Sequence, residues 1–370
     1  MKIFLVFGTR PEAIKMAPLF KELKSRPSIQ TKLIVTAQHR QMLDQVLKAF
    51  DIQADYDLNI MKQDQTLSDI TTLVIQELSV IIKKEKPDMI LVHGDTTTTF
   101  ASALSAFYHQ VKIGHVEAGL RTSNKHSPYP EEINRAFVGL VADFHFAPTE
   151  HSKQNLIKEN KPLNSIFVTG NTGIDALKTT LKKGYYHPLF DWIGQDRLVL
   201  LTAHRRENLG EPMRNMFKGI KRAIDQFQDV KVLYPVHMNP KVIEVANEIF
   251  ANHPRIKLIE PMEVLDFHNF IKKSFLILSD SGGIQEEASA LGKPLLVLRD
   301  TTERPEGVTA GTLRLVGTKE EDIYKNTYEL LSNQVIYDKM SNATNPYGDG
   351  NASKYIADIL LASTKLTNTK

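Results

Sequence analysis

Short apolar runs alternate with amphipathic stretches along almost the whole chain. The runs 2–7, 32–36, 88–93, 112–117, 143–147 and 165–169, then 197–202, 230–235, 256–259, 274–279 and 294–298, have strand length, and many are continuously apolar. Strands buried on both faces of a parallel sheet read this way. Between most of them lie stretches of helical period, for example 66–84, 211–227 and 319–331. Strand and helix in alternation predict an α/β fold in which helices wrap parallel sheets. The pattern breaks over 170–196, where KKGYYHPLFDWIGQD carries glycines and a proline, and restarts with RLVLLTAH. Two Rossmann-like, doubly wound domains are therefore expected, 1–170 and 197–350, with a linker region at 171–196. Near the end, NPYGDGNASKYIADILLA reads as a glycine-rich turn followed by a helix over 352–364 that returns to the first domain.

A length of 370 residues suits two cores better than one. With 42% hydrophobic and 24% charged residues the composition is that of an ordinary globular protein. A formal charge of +3 gives no electrostatic reason to expect nucleic acid as a partner. The absence of cysteine excludes disulfides, thiolate zinc sites and a cysteine nucleophile. No apolar run approaches the ~20 residues of a membrane span, so no membrane partner is expected. The opening KIFLVFGTR reads as a first strand rather than a signal peptide, and the expected location is the cytoplasm.

Two glycine turns stand out. FGTRPEAIK and LSDSGGIQEEA each end an apolar run and open a helix. A helix start offers backbone N–H groups and positive dipole charge to an anion, commonly a phosphate. Neither turn is a G-x-G-x-x-G fingerprint or a Walker loop, and a tight strand–helix turn without a ligand needs glycine too. Arg10 and Lys15 add cations behind the first turn.

Ligands of open α/β sheets bind at the carboxyl ends of the strands, and the polar clusters here follow apolar runs. Asp95 and Glu117 fall at neighbouring strand ends, where two carboxylates can divide acid and base roles. Glu131 follows Pro130, a residue suited to the first helical position. The plainer readings are first-turn acidity for Glu131 and Glu132 and an N-cap for Asp95. His204, beside Arg205, Arg206 and Glu207, is a candidate for stabilising a leaving group, with His115 and His237 ranked behind it. Glu286 and Glu287 sit behind the Ser281-Gly282-Gly283 turn, where a carboxylate turned sideways can accept ribose hydroxyls. No spacing suggests a metal site.

Taken in order, FGTRPEAIKMAPL, VHGDTTTT, IGHVEAGLRT, SPYPEEINR, TAHRREN, PVHMNP, LSDSGGIQEEA and LRDTTERPEG resemble the bacterial non-hydrolysing UDP-N-acetylglucosamine 2-epimerases over almost the whole chain. The resemblance implies a glycosyltransferase-B type fold with the nucleotide in the cleft between its domains, and a homodimer. It implies that Arg10 and Lys15 approach the diphosphate from one side and Ser281, Gly282 and Gly283 from the other. Glu287 takes the ribose, Arg304 shares that wall, and Phe267 and Met262 lie near the uracil. The implied reaction interconverts UDP-N-acetylglucosamine and UDP-N-acetylmannosamine without a cofactor, through loss and return of UDP. It would supply N-acetylmannosamine for surface polysaccharides. Asp95, Glu117, Glu131 and His204 are the implied catalytic set. A regulatory UDP-N-acetylglucosamine site is implied at Gln38, Gln41, Glu131, Arg205 and His237. A glycosyltransferase, a hydrolysing epimerase and a nucleotide-sugar sensor are the competing readings, since fold alone does not separate them.

Overall fold

The computed structural model describes residues 1–37, 40–62 and 64–367, with side chains except at 40–42 and 364–367. Contacts divide the chain into two units, Met1–Thr179 with Tyr347–Lys370, and Thr180–Pro346.

Among the described residues, the first unit holds seven parallel strands: β1 (Lys2–Phe7), β2 (Gln30–Val35), β3 (Tyr56–Asp57), β4 (Met89–His93), β5 (Lys112–Val116), β6 (Phe144–Ala147) and β7 (Ile166–Val168). Their order is β3-β2-β1-β4-β5-β6-β7. Leu5 of β1 lies between Leu33 of β2 and Leu91 of β4. Residues Ile3 to Phe7 are fully buried because helices cover both faces, which is why β1 reads as an unbroken apolar run. Phe4 and Val6 pack with Ile34, Ile90 and Val92 under Leu78, Ile82 and Ala103.

The second unit repeats the topology with β8 (Arg197–Thr202), β9 (Val230–Pro235), β10 (Ile256–Ile259), β11 (Leu276–Ser279), β12 (Leu295–Val297) and β13 (Leu313–Leu315), in the order β10-β9-β8-β11-β12-β13. Successive residues of β8 face opposite layers. Val199 and Leu201 join Phe217, Val232 and Phe250, whereas Leu198 and Leu200 join Phe270, Ile277 and Leu295. In each sheet the strand order reverses beside the unit's first strand, at β1/β4 and at β8/β11. Such reversals open the crevice that ligands use.

Every predicted apolar run forms a strand. The sequence reading missed β3 and β13, which are short edge strands whose segments YD and LRL carry no continuous apolar signal. The segment 171–196 holds two helices, Thr172–Thr180 and Leu189–Ile193.

The helix Ala352–Thr367 packs on the helix Arg10–Lys24. The Asp175 carboxylate anchors its start by accepting the backbone N–H groups of Ala352 (3.1 Å) and Ser353 (2.7 Å). The returning chain crosses the loop after β7 at a glycine pair. A Cβ on Gly348, whose φ is +110°, would stand 2.9 Å from the Gly170 Cα. That crossing fixes Asn171, whose backbone N–H donates to the Tyr347 carbonyl at 2.9 Å. Among the described residues no helix is long and apolar enough to cross a membrane.

Candidate active site

The turn after β1 differs from expectation. A Cβ on Gly8 would meet the Thr36 and Thr98 hydroxyls at 2.0 and 2.7 Å, so packing alone demands glycine there. The N–H groups of Gly8 (3.1 Å) and Thr9 (2.8 Å) donate to Glu12 Oε2. Glu12 Oε1 accepts the Thr96 (2.7 Å) and Thr99 (2.9 Å) hydroxyls. These backbone donors are thus spent on a carboxylate that is 2% exposed and do not form the anion seat read from the sequence. The signal was present as Thr9-x-x-Glu12, a capping box.

Asp95 is not an N-cap. Thr96 caps the helix Thr97–Tyr108 and accepts the Thr99 N–H at 3.0 Å. The Asp95 carboxylate instead pairs with the Arg135 guanidinium, and its carbonyl accepts Asn134 Nδ2 at 3.0 Å. Arg135 and Asn134 belong to the helix Glu131–Val141, for which Pro130 is the cap rather than the first residue. Glu132 is buried and structural, accepting the Thr122 and Ser123 N–H groups at 3.0 and 2.9 Å. Glu131 is half-buried at the positive helix end.

Glu117 directly follows β5 with φ +63°, a conformation that residues other than glycine enter at some cost and that clusters at functional sites. Its Oε2 meets the Lys15 ammonium, accepts Asn171 Nδ2 at 2.8 Å and lies 3.6 Å from His93 Nε2. A Cβ on Gly94 would stand 3.6 Å from Oε1, on the side where Asp95 follows. His115 donates from Nε2 to the Gly94 carbonyl at 2.7 Å, and burial pushes its pKa down to about 3, so it supports this turn as a neutral ring. The structure thus gathers Asp95, Glu117 and the Glu131 helix at neighbouring strand ends. The sequence reading missed Glu12, His93, Arg135 and Asn171. Besides the capping-box glutamate, Arg135 left a trace, at i+3 from Glu132. Arg10 opens its helix half-buried, and Lys15 is 7% exposed.

In the second unit Asp280, with 0% exposure, does for the loop after β8 what Glu12 does in the first. It accepts the N–H groups of His204 (2.9 Å) and Arg205 (2.9 Å) and Asn208 Nδ2 (3.1 Å). The His204 ring stacks on exposed His237, with centroids 5.2 Å apart and planes at 11°. Burial lowers the His204 pKa, Asp280 opposes that, and His237 and Arg205 reinforce it.

The helix Gly282–Ala290 starts at Ser281 without an acidic residue in its first turn, and the Ser281 N–H donates to Ser279 Oγ at 2.9 Å. Behind it, Arg304 is buried and donates to Glu286 and Glu303 at 2.6 Å each. Burial alone would raise the Glu303 pKa, but Arg304, Arg299 and Arg205 hold it well below the carboxylate range. Glu287 is buried 3.5 Å from His268 Nε2. Phe267 and Met262 are half-buried against the β8–β11 layer. Gln38 and the side chain of Gln41 lie outside the described residues. Among the described residues no cluster of His, Cys, Asp or Glu is placed to hold a metal ion.

Two doubly wound units, the first with carboxylates at neighbouring strand ends, define an α/β enzyme of the glycosyltransferase-B fold. The family model described as UDP-N-acetylglucosamine 2-epimerase matches residues 21–361. The UDP-N-acetylglucosamine 2-epimerase of Bacillus subtilis (strain 168) is 63% identical over 361 residues, covering 98% of this chain and 95% of that protein. The crystal structure of UDP-GlcNAc 2-epimerase from Neisseria meningitidis bound to UDP-GlcNAc is 50% identical with a TM-score of 0.92, covering 98% of this chain and 100% of that one. The S. aureus MnaA–UDP co-structure is 54% identical with a TM-score of 0.93, covering 99% and 97%. The chain belongs to the UDP-N-acetylglucosamine 2-epimerase family, a family of isomerases.

The His204 environment is directly measurable. Its imidazole is expected to titrate below the ordinary 6.5, and Asp280→Asn, which removes the opposing charge, to lower it further. An NMR titration of the ring nitrogens checks this. A value at or above 6.5, or a rise in the variant, contradicts the assigned environment.

Proposed function

We propose that the protein interconverts UDP-N-acetylglucosamine and UDP-N-acetylmannosamine by inverting C2 of the sugar. The observation that carries this is the placement of Asp95 and Glu117 at adjacent strand ends, each on a cation, in a chain 63% identical to a protein of that name. The C2 proton is not adjacent to a carbonyl. Its removal becomes feasible when the C1 oxygen bond breaks in the same elimination. The C2–H electrons form the C1=C2 bond, UDP departs with the C1–O electrons, and a carboxylate takes the proton. A proton then returns to C2 on the opposite face as the UDP oxygen re-adds to C1. No net oxidation occurs.

Asp95, Glu117 and Glu131 share these transfers, and His204 stabilises the departing diphosphate. Ser281, Gly282 and Gly283 hold that diphosphate with Arg10. Glu287 takes the ribose, and Phe267 and Met262 face the uracil. Arg304 braces the same helix start, and His268 beside Glu287 supports its orientation. A second UDP-N-acetylglucosamine, at Gln38, Gln41, Glu131, Arg205 and His237, regulates turnover. The His204–His237 stack is the physical support for that reading. The enzyme works in the cytoplasm and supplies N-acetylmannosamine for surface polysaccharides.

A homodimer is also proposed. The adjoining helices Thr97–Tyr108 and Glu131–Val141 leave Phe107, Tyr108, Phe137 and Leu140 exposed, the last by 69%. An apolar face of this kind marks an interaction surface.

Incubation with UDP-N-acetylglucosamine in deuterated water, followed by proton NMR, should give UDP-N-acetylmannosamine with deuterium at C2. Free UDP with free N-acetylmannosamine would show hydrolysis instead. Asp95→Asn and Glu117→Gln should each slow turnover by about 10²–10⁴-fold, the usual contribution of an acid–base group, and near-normal turnover would remove them from the chemistry. For assembly, Phe137→Asp combined with Leu140→Lys should convert a dimer to a monomer by light scattering. An unchanged dimer would place the interface elsewhere.

A further inference from the structure

Asn171 connects the returning C-terminal segment to the carboxylate at the end of β5. Its backbone N–H is fixed by the Tyr347 carbonyl, and its Oδ1 accepts the Gly173 N–H at 2.7 Å. The first bond fixes the main chain and the second the amide, so its Nδ2 reaches Glu117 Oε2 at 2.8 Å in one orientation. Lys15 arrives at the same oxygen from the helix Arg10–Lys24, with its stem against Gly173, where a Cβ would touch the Lys15 chain at 3.4 Å. His93 faces the same oxygen from β4 at 3.6 Å. A cation and an amide donor on one oxygen favour the ionised carboxylate and stop it from swinging. Glu117 needs such a seat, because its backbone is already held in the left-handed region.

We propose that Asn171 is a positioning residue for Glu117 and that Lys15 acts with it, so that both serve proton transfer at C2 rather than diphosphate binding. This rests on the epimerase reading above. Turnover and nucleotide affinity then separate. A residue that holds the proton acceptor affects exchange at C2 and leaves UDP binding alone. A residue on the diphosphate affects both.

The test uses Asn171→Ala, Asn171→Asp and Lys15→Met in the full chain. Deuterium incorporation at C2 of saturating UDP-N-acetylglucosamine is measured beside the UDP dissociation constant from calorimetry. Asn171→Ala should slow exchange by roughly 10–100-fold, the scale of a misplaced reacting group. Asn171→Asp should slow it more, because it sets a like charge on Glu117. Lys15→Met should slow it by about 10²-fold or more, with UDP affinity in all three within about threefold of the parent. Exchange at the parental rate in Asn171→Ala overturns the proposal, as does a loss of UDP affinity in proportion to the loss of exchange. The Asn171 variants decide the matter if Lys15→Met does not fold. A parent enzyme that shows no exchange defeats the epimerase reading itself, whereas normal exchange in both parent and variants defeats only this inference.

Discussion

Buried carboxylates that accept backbone N–H groups set the geometry on which the rest of the site depends. Each sheet reverses strand order beside its first strand, and the loops there must satisfy their donors away from water. Glu12 does this for the turn after β1, and Asp280 for the loop after β8. A buried charge persists only with several donors around it, and both carboxylates have them. The consequence differs between the units. In the first, the N–H groups of Gly8 and Thr9 are taken by Glu12, and the carboxylates of Asp95 and Glu117 follow the next two strands. In the second, Asp280 shapes the neighbouring loop and the helix at Gly282 has no acidic residue of its own in its first turn.

The same pattern distinguishes the members of two glutamate pairs. Of Glu131 and Glu132, the second accepts loop N–H groups and the first is the half-buried residue that opens the helix. Of Glu286 and Glu287, the second lies beside His268 and the first is locked to Arg304. Arg304 itself sits between two carboxylates and against the start of the helix at Gly282.

The fold was legible because buried parallel strands are written as unbroken apolar runs, and β1 and β8 are plain examples. The edge strands β3 and β13 escaped because two or three residues with polar members carry no periodic signal. Asp95, Glu117 and His204 were legible as polar residues directly after strands. Their partners were not, because Arg135, Asn171 and Asp280 reach them from distant positions, and one sequence contains no signal for a contact between them. The first glycine turn kept two readings for a local reason. Glycine followed by a helix start describes both a phosphate seat and a capping box, and Glu12 decides between them.

The central claim is that the bond between C1 and the UDP oxygen breaks and reforms during inversion. UDP-N-acetylglucosamine carrying oxygen-18 in that bridging position tests it most directly, with the phosphorus NMR isotope shift followed as the epimer accumulates. Movement of the label into non-bridging positions of the β-phosphate is the predicted result. Epimer accumulating while the label stays in the bridge would contradict the account.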